Sequence, residues 1–143
     1  IRELIEFKPL SRQTNISSAL EFLISVVKKK SIAFVLSDFI SSNYERNLKI
    51  ASNKHDLTGI RIYDKMEEKI PNLGIVPMLE QETNKIRLVD TTSKLVRKKY
   101  ESFNIENEKK FVQLFAKNGA GTIRCRTDES YVKKLLNYFK NRG

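Results

Sequence analysis

The hydrophobic pattern is sharpest at Ser31-Ile-Ala-Phe-Val-Leu-Ser-Asp38, where the apolar run Ile32 to Leu36 follows the triple lysine Lys28 to Lys30 and stops at a carboxylate. A run without alternation predicts a strand covered on both faces, as in parallel sheets flanked by helices. Asp38 then falls at the carboxyl edge of that sheet, where open α/β folds bind ligands. Before it, Leu20, Leu23, Ile24 and Val27 recur at helical spacing and predict a helix from about Thr14 to Lys29. Ser18 and Glu21 have capping-box spacing, and the basic end suits the helix dipole. Ile1 to Phe7 reads as the tail of an earlier helix closed by Pro9, so the chain reads as a fragment with structure upstream.

After the strand, Ser42 or Asn43 can cap a helix reaching about Asn53, anchored by Tyr44, Leu48 and Ile50, with Ala51 adding little. Leu57 to Asp64 predicts a second strand, Ile60 and Ile62 on one side and Arg61 and Tyr63 on the other, ending again in an aspartate. This strand-helix-strand unit should cross over right-handed. Ile75 to Leu79 and Ile86 to Val89 predict a β-hairpin inserted at the sheet margin, Pro77 keeping its arm at an edge. Thr91, Thr92 or Ser93 then caps a long helix carrying Val96, Tyr100, Phe103, Phe111, Leu114 and Phe115 as core, ended by Gly119. Gly121 to Arg126 predicts a third strand with Cys125 buried or half-buried. Asp128 is the expected cap of a last helix with Val132, Leu135, Leu136 and Phe139 along one side. That order is a doubly wound α/β sheet, but only about half of one. Without the other half, Ile32 to Leu36 becomes an edge with exposed apolar faces, which self-association or a supplied segment would have to cover.

Composition narrows the function classes. The 143 residues, 40% hydrophobic, amount to one domain. Cys125 is the single cysteine, so no internal disulfide or cysteine-based zinc site is built, which fits a reducing, cytoplasmic compartment. No apolar run approaches the ~20 residues that span a bilayer. Lys and Arg number 27 against 17 Asp and Glu, a net +10 that favours phosphates, anionic surfaces or an acidic protein. The basic residues come in scattered twos and threes that read as solvated helix faces. A nucleic-acid or anionic-surface binder is therefore the second reading, without any RNA- or DNA-reading motif to carry it.

Catalytic arrangements are hard to assemble. The single histidine, His55, sits in Lys54-His-Asp56 with no partner for general-base work, and no glycine-rich phosphate loop occurs. Metal-assisted hydrolysis at Asp38 and Asp64 is the one enzymatic version that can be sketched, so no enzyme is expected. What remains is Thr14 at a helix start and Asp38 at a strand end, both able to face one crevice. Hard oxygen ligands of that kind suit Mg²⁺, which takes one or two carboxylates and keeps several waters. Read blandly, the threonine is a cap and the aspartate a turn residue.

Thr14-Asn-Ile-Ser-Ser-Ala19-Leu20 followed by Phe34-Val-Leu-Ser-Asp38-Phe resembles the second half of a von Willebrand factor A-type domain. The whole chain is similar to the carboxyl-terminal part of the bacterial proteins called domain of unknown function 58. That likeness runs through Lys54-His-Asp56, Arg61-Ile-Tyr-Asp64, Leu73-Gly-Ile-Val-Pro77, Val89-Asp-Thr-Thr-Ser93 and Arg126-Thr-Asp128 with Tyr131. The resemblance implies a von Willebrand factor A-like, Rossmann-type doubly wound sheet of which residues 1–143 form the carboxyl-terminal portion. It also implies a metal-ion-dependent adhesion site, in which a D-x-S-x-S loop, a threonine and a second aspartate hold Mg²⁺ for a partner's carboxylate. Thr14 and Asp38 match the last two parts. The first is missing, since Ile40 follows Asp38 where serine is needed and Lys94 takes the second serine's place after Asp90. By the family pattern that loop lies upstream of Ile1, so the complete domain is expected to bind Mg²⁺ and residues 1–143 alone to bind little or none. Similar proteins are implied to act as non-enzymatic protein-protein interaction modules beside MoxR-type AAA+ ATPases, in assembling or maturing other complexes.

Overall fold

The computed structural model describes residues 14–80 and 85–142, together with Glu6. The helical stub expected over Ile1 to Phe7 lies outside the described residues except for Glu6, which is helical. From Thr14 the order is helix α1 (Ile16–Val26), strand β1 (Ile32–Ser37), helix α2 (Glu45–Lys54), strand β2 (Asp56–Tyr63) and the single turn α3 (Lys65–Glu68). A hairpin of β3 (Ile75–Glu80) and β4 (Lys85–Asp90) follows, then helix α4 (Lys94–Lys117), strand β5 (Gly121–Arg126) and helix α5 (Tyr131–Lys140). The mixed α/β class matches the sequence pattern, and so does the run of elements apart from α3.

Strands β1, β2 and β5 form a parallel sheet in that spatial order, with Phe34 opposite Thr58 and Thr58 opposite Gly121. Parallel neighbours need a crossover, and α2 and α4 supply the helices of the two connections. Both pack on the sheet face that carries Leu57 and Gly59, with α1 beside them. Ile16, Leu20, Leu48, Ala51, Leu57, Phe111 and Phe115 make this main core. Gly59 lies directly beneath two rings of α4. A Cβ there would stand 2.5 Å from Phe115 Cε1 and 2.8 Å from Phe111 Cε2, so only glycine admits both rings. The opposite face holds a smaller cluster, Ile60, Ile123 and Cys125 under Leu135 and Tyr138 of α5.

Several local expectations are corrected. The strand Ile32–Ser37 is not covered on both faces: Ala33 and Val35 turn toward the main core, whereas Ile32, Phe34 and Leu36 are 65%, 43% and 61% exposed. The helix before it is capped by Asn15, whose side chain accepts from Ser18 N at 2.9 Å, and ends at Val26. The turn into Ile32 needs the residues that follow, so Lys28 to Lys30 fall outside the helix. Lys54 of α2 instead donates to the Ile24 carbonyl at 2.5 Å. Tyr44, not Ser42 or Asn43, occupies the cap position of α2 because its ring is required in the core. Ala51 is fully buried where the helix meets the sheet, while Ile50 points outward. Asp128 is held by Arg126 at 2.5 Å, and Ser130 precedes α5 without a side-chain bond. The hairpin is a separate antiparallel pair, not a margin of the main sheet. Its base is tied by the buried Thr91, whose hydroxyl donates to the Gly74 carbonyl at 2.6 Å and accepts from Leu73 N at 2.9 Å.

Burial, reinforced by Glu45, pushes the Tyr44 phenol up to about 12. The unfolded chain ionises this group near pH ~10, so its contribution is complete below that pH and is lost as pH rises through about 12. Urea midpoints measured at stepped alkaline pH should fall from pH ~10 upward. The Tyr44→Phe variant should show a shallower fall, and equal slopes for the two proteins would refute this assignment.

Candidate functional site

The carboxyl edge of the sheet gathers the loops after β1, β2 and β5. Asp38 Oδ1 accepts from Ile40 N and from Ser37 Oγ, both at 3.3 Å, and the Asp38 carbonyl accepts from Arg61 Nε at 3.3 Å. No hydrogen bond among the described residues engages Asp38 Oδ2. The next residue, Phe39, has φ +56°, and Asn43 has φ +64°. Left-handed backbone at a bulky side chain costs about 1–2 kcal/mol. It persists because the Phe39 ring is buried, stacked on Phe111 at 4.3 Å and edge-on to Phe115 at 5.3 Å. The core thus fixes the turn that presents Asp38.

Thr14 is exposed and lies one residue ahead of the cap Asn15. Helices α1 and α2 run in the same direction. Asn47 Nδ2 reaches Ser17 Oγ at 2.7 Å near their starts, and Lys54 reaches Ile24 near their ends. Since α2 begins shortly after β1 ends, Thr14 lies at the same end of the sheet as Asp38, with no hydrogen bond between them. Both offer hard oxygens, which suit Mg²⁺ chemically, but two such groups leave most of its shell to water or to other ligands. Among the described residues, no group of three His, Cys, Asp or Glu side chains is gathered as a metal site.

Asp64 is committed elsewhere. Its Oδ1 accepts from Met66 N at 2.8 Å, its Oδ2 from Thr127 Oγ1 at 3.2 Å, and Glu67 closes a capping box around it. The strand-ending aspartate expected here is in fact the cap of α3, an element whose signal in the sequence is the capping-box spacing of Asp64 and Glu67. His55 is buried at the amino end of β2, away from this edge, and neither ring nitrogen has a hydrogen-bond partner among the described residues.

Beside Asp38 runs an ion-pair network that alternation along β2 had concealed. Arg61 and Arg124 are register partners on adjacent strands, a pairing of like charges that is unfavourable alone. Glu108 of α4 bridges them, 3.2 Å from Arg61 and 2.9 Å from Arg124. Arg126 contacts Glu68 at 3.4 Å and Glu129 at 2.8 Å as well as Asp128. The guanidinium of Arg126 holds Asp128 below the ordinary carboxylate range, and Lys134 does the same to Glu129. Arginines tied to acids in this way present no free cationic patch.

A second surface stands apart. On the outer face of the hairpin, Ile75, Leu79, Ile86 and Leu88 are all exposed, Leu88 to 75%. Leu79 pairs with Ile86 and Pro77 with Leu88, so these side chains form one continuous apolar face. The inner side, with Met78 and Val89, meets Val96, Tyr100 and Phe103 of α4 around a cleft whose rim Leu79 also lines.

Comparison with known proteins gives a family and little beyond it. A family model described as protein of unknown function DUF58 matches residues 1–110. An uncharacterized protein of Mycobacterium avium, MAV169, is 21% identical over 135 residues, covering 94% of this chain and 79% of that protein. No solved structure matches.

Proposed function

The chain belongs to the family described as protein of unknown function DUF58, and from that premise we propose that it works as a non-enzymatic protein-protein interaction module. The observation that carries this reading is the hairpin face of Ile75, Leu79, Ile86 and Leu88, exposed on both strands. A two-stranded hairpin that leaves such a face in water is paying for contact with something else, and contiguous apolar patches of this kind mark protein partners. The polar carboxyl edge supplies the second half of the proposal. Asp38 and Thr14 form part of a metal-ion-dependent adhesion site within a von Willebrand factor A-like domain, and further oxygen ligands complete the shell. The partner proposed on the strength of the family likeness is a MoxR-type AAA+ ATPase, which the module assists in assembling or maturing other complexes.

The reading is tested by capture of that ATPase on the immobilised complete domain, including the upstream D-x-S-x-S loop, with and without a chelator of divalent cations. Leu88→Lys is expected to abolish capture while leaving the circular dichroism spectrum unchanged, since Leu88 makes no part of the core. Asp38→Asn keeps the oxygen that Ile40 N needs but removes the charge, and should weaken capture only when Mg²⁺ is present. Capture unaffected by Leu88→Lys would remove the hairpin from the proposal. Capture indifferent to both chelator and Asp38→Asn would remove the metal bridge.

A further inference from the structure

We propose that the amino edge of the sheet docks on an anionic lipid bilayer. Parallel strands all begin on one side, so the turns into β1, β2 and β5 meet there. Lys28 to Lys30 precede β1, Lys54 closes α2 just ahead of β2, and Lys117 closes α4 ahead of β5. Lys140 closes α5, and the end of that helix is fixed to the same edge by Arg142, which donates to Thr58 Oγ1 at 3.2 Å and to Asp56 Oδ1. Over residues 27–31, 53–56, 116–121 and 139–142, these seven cations meet a single carboxylate, that of Asp56, and Arg142 already holds it. Groups that look scattered along the chain are gathered in space.

The acids stand at the other end of the strands. Glu68, Asp128 and Glu129 hold Arg126 at the carboxyl edge, where Asp38 and Asp64 also lie. Lys28, Lys29, Lys30, Lys117 and Lys140 are exposed, and among the described residues none of them forms an ion pair. Part of this charge answers the helices, each of which ends in about half a negative charge. Lys54, Lys117 and Lys140 lie in such last turns. The lysine run does not, because α1 stops at Val26 and carries no basic residue in its last turn. An edge of one sign attracts a surface of the other.

The shape of the edge selects a plane over a nucleic acid. Helix α2 passes to β2 through His55 alone, and α4 passes to β5 through three residues, 118–120. Turns so short leave no helix or ribbon to enter a groove, as reading a duplex requires. The helices also point their carbonyl ends this way, whereas phosphate is bound by N–H groups at amino ends. Lysines spread over the turns from both helical layers suit the headgroups of a bilayer, which hold basic clusters of this size electrostatically. Strands that the upstream half of the sheet adds beside β1 lengthen this edge without covering it. Seated so, the chain turns Asp38 and the hairpin away from the lipid, toward a protein partner, although the docking itself requires no partner.

The test is cosedimentation of the complete domain with vesicles of phosphatidylglycerol and phosphatidylcholine in equal parts, and with vesicles of phosphatidylcholine alone. Binding is expected to the first and not to the second, and to fall as salt rises. A lysine beside an anionic bilayer raises partition about fivefold, so changing Lys28, Lys29 and Lys30 together to glutamine should lower it about a hundredfold. The circular dichroism spectrum should not change, since all three are exposed. Lys94, Lys98 and Lys99, exposed at the far end of α4, supply the control. Changing these three to glutamine removes the same charge and should leave partition nearly unaltered. Equal losses for the two triple variants would overturn the proposal, because binding would then follow net charge and not this edge. Failure to sediment with the anionic vesicles at low salt would overturn it as well. So would a DNA duplex that binds more tightly than those vesicles at equal phosphate concentration, which would give the edge to nucleic acid.

Discussion

Replacing Glu108 by alanine is expected to destabilise the protein by about 3 kcal/mol, because it strands a buried guanidinium. Arg61 is 3% exposed and sits opposite Arg124, with Glu108 the carboxylate that touches both. Removing that carboxylate leaves two like charges on neighbouring strands, one of them nearly without water. The partners that stay behind, the Asp38 carbonyl and the Tyr63 ring 5.1 Å from the guanidinium, cannot neutralise it. A second substitution separates the loss of the pair from the stranding of the charge. In the Glu108→Ala background, Arg61→Met should recover most of the stability, since an apolar side chain of similar length has nothing to desolvate. Urea unfolding of the two single variants and the double variant reads both effects. A loss below about 1 kcal/mol for Glu108→Ala would mean that water reaches Arg61 and the pair behaves as a surface one.

The same residues show where the sequence could be read and where it could not. Gly121 to Arg126 emerged as a strand with its bounds correct, because the residues alternate and glycine and threonine punctuate the ends. The long helix Lys94–Lys117 was legible from Ser93, the aromatic spacing and Gly119, whose φ of +69° needs glycine at the helix end, although Phe103, expected in the core, is 54% exposed. Burial was less legible. Alternation placed Arg61 with Tyr63 on one side of β2, but could not tell that this side is the core, since the acid that makes the site tolerable lies 47 residues away in α4. Continuous apolarity in β1 predicted cover on both faces, whereas cover depends on what neighbours are present. Chemistry at the carboxyl edge was half legible: Asp38 was singled out by its place after the strand. The left-handed turn at Phe39 that fixes it was not, because phenylalanine carries no sequence signal for positive φ.

Truncating Phe115 to alanine is the change expected to cost most, about 3–5 kcal/mol. The ring is fully buried and touches the three features on which the carboxyl edge depends. It packs edge-on to Phe39 at 5.3 Å, lies 4.8 Å from Phe111 between ring centres, and fills the space above Gly59. Its loss should act locally before it acts globally. Phe39 keeps an unfavourable φ only because its ring is gripped, so amide exchange at Ile40, whose N–H is bonded to Asp38 Oδ1, should accelerate more than exchange in β5. Gly59 supplies the internal control. Gly59→Ala alone drives a methyl group into Phe115 and Phe111 and should cost about 1–3 kcal/mol by overpacking. In the Phe115→Ala background the methyl group enters the space the ring has left, and the pair should be less destabilising than the sum of the singles. Additive losses would show that the two sites do not share that space.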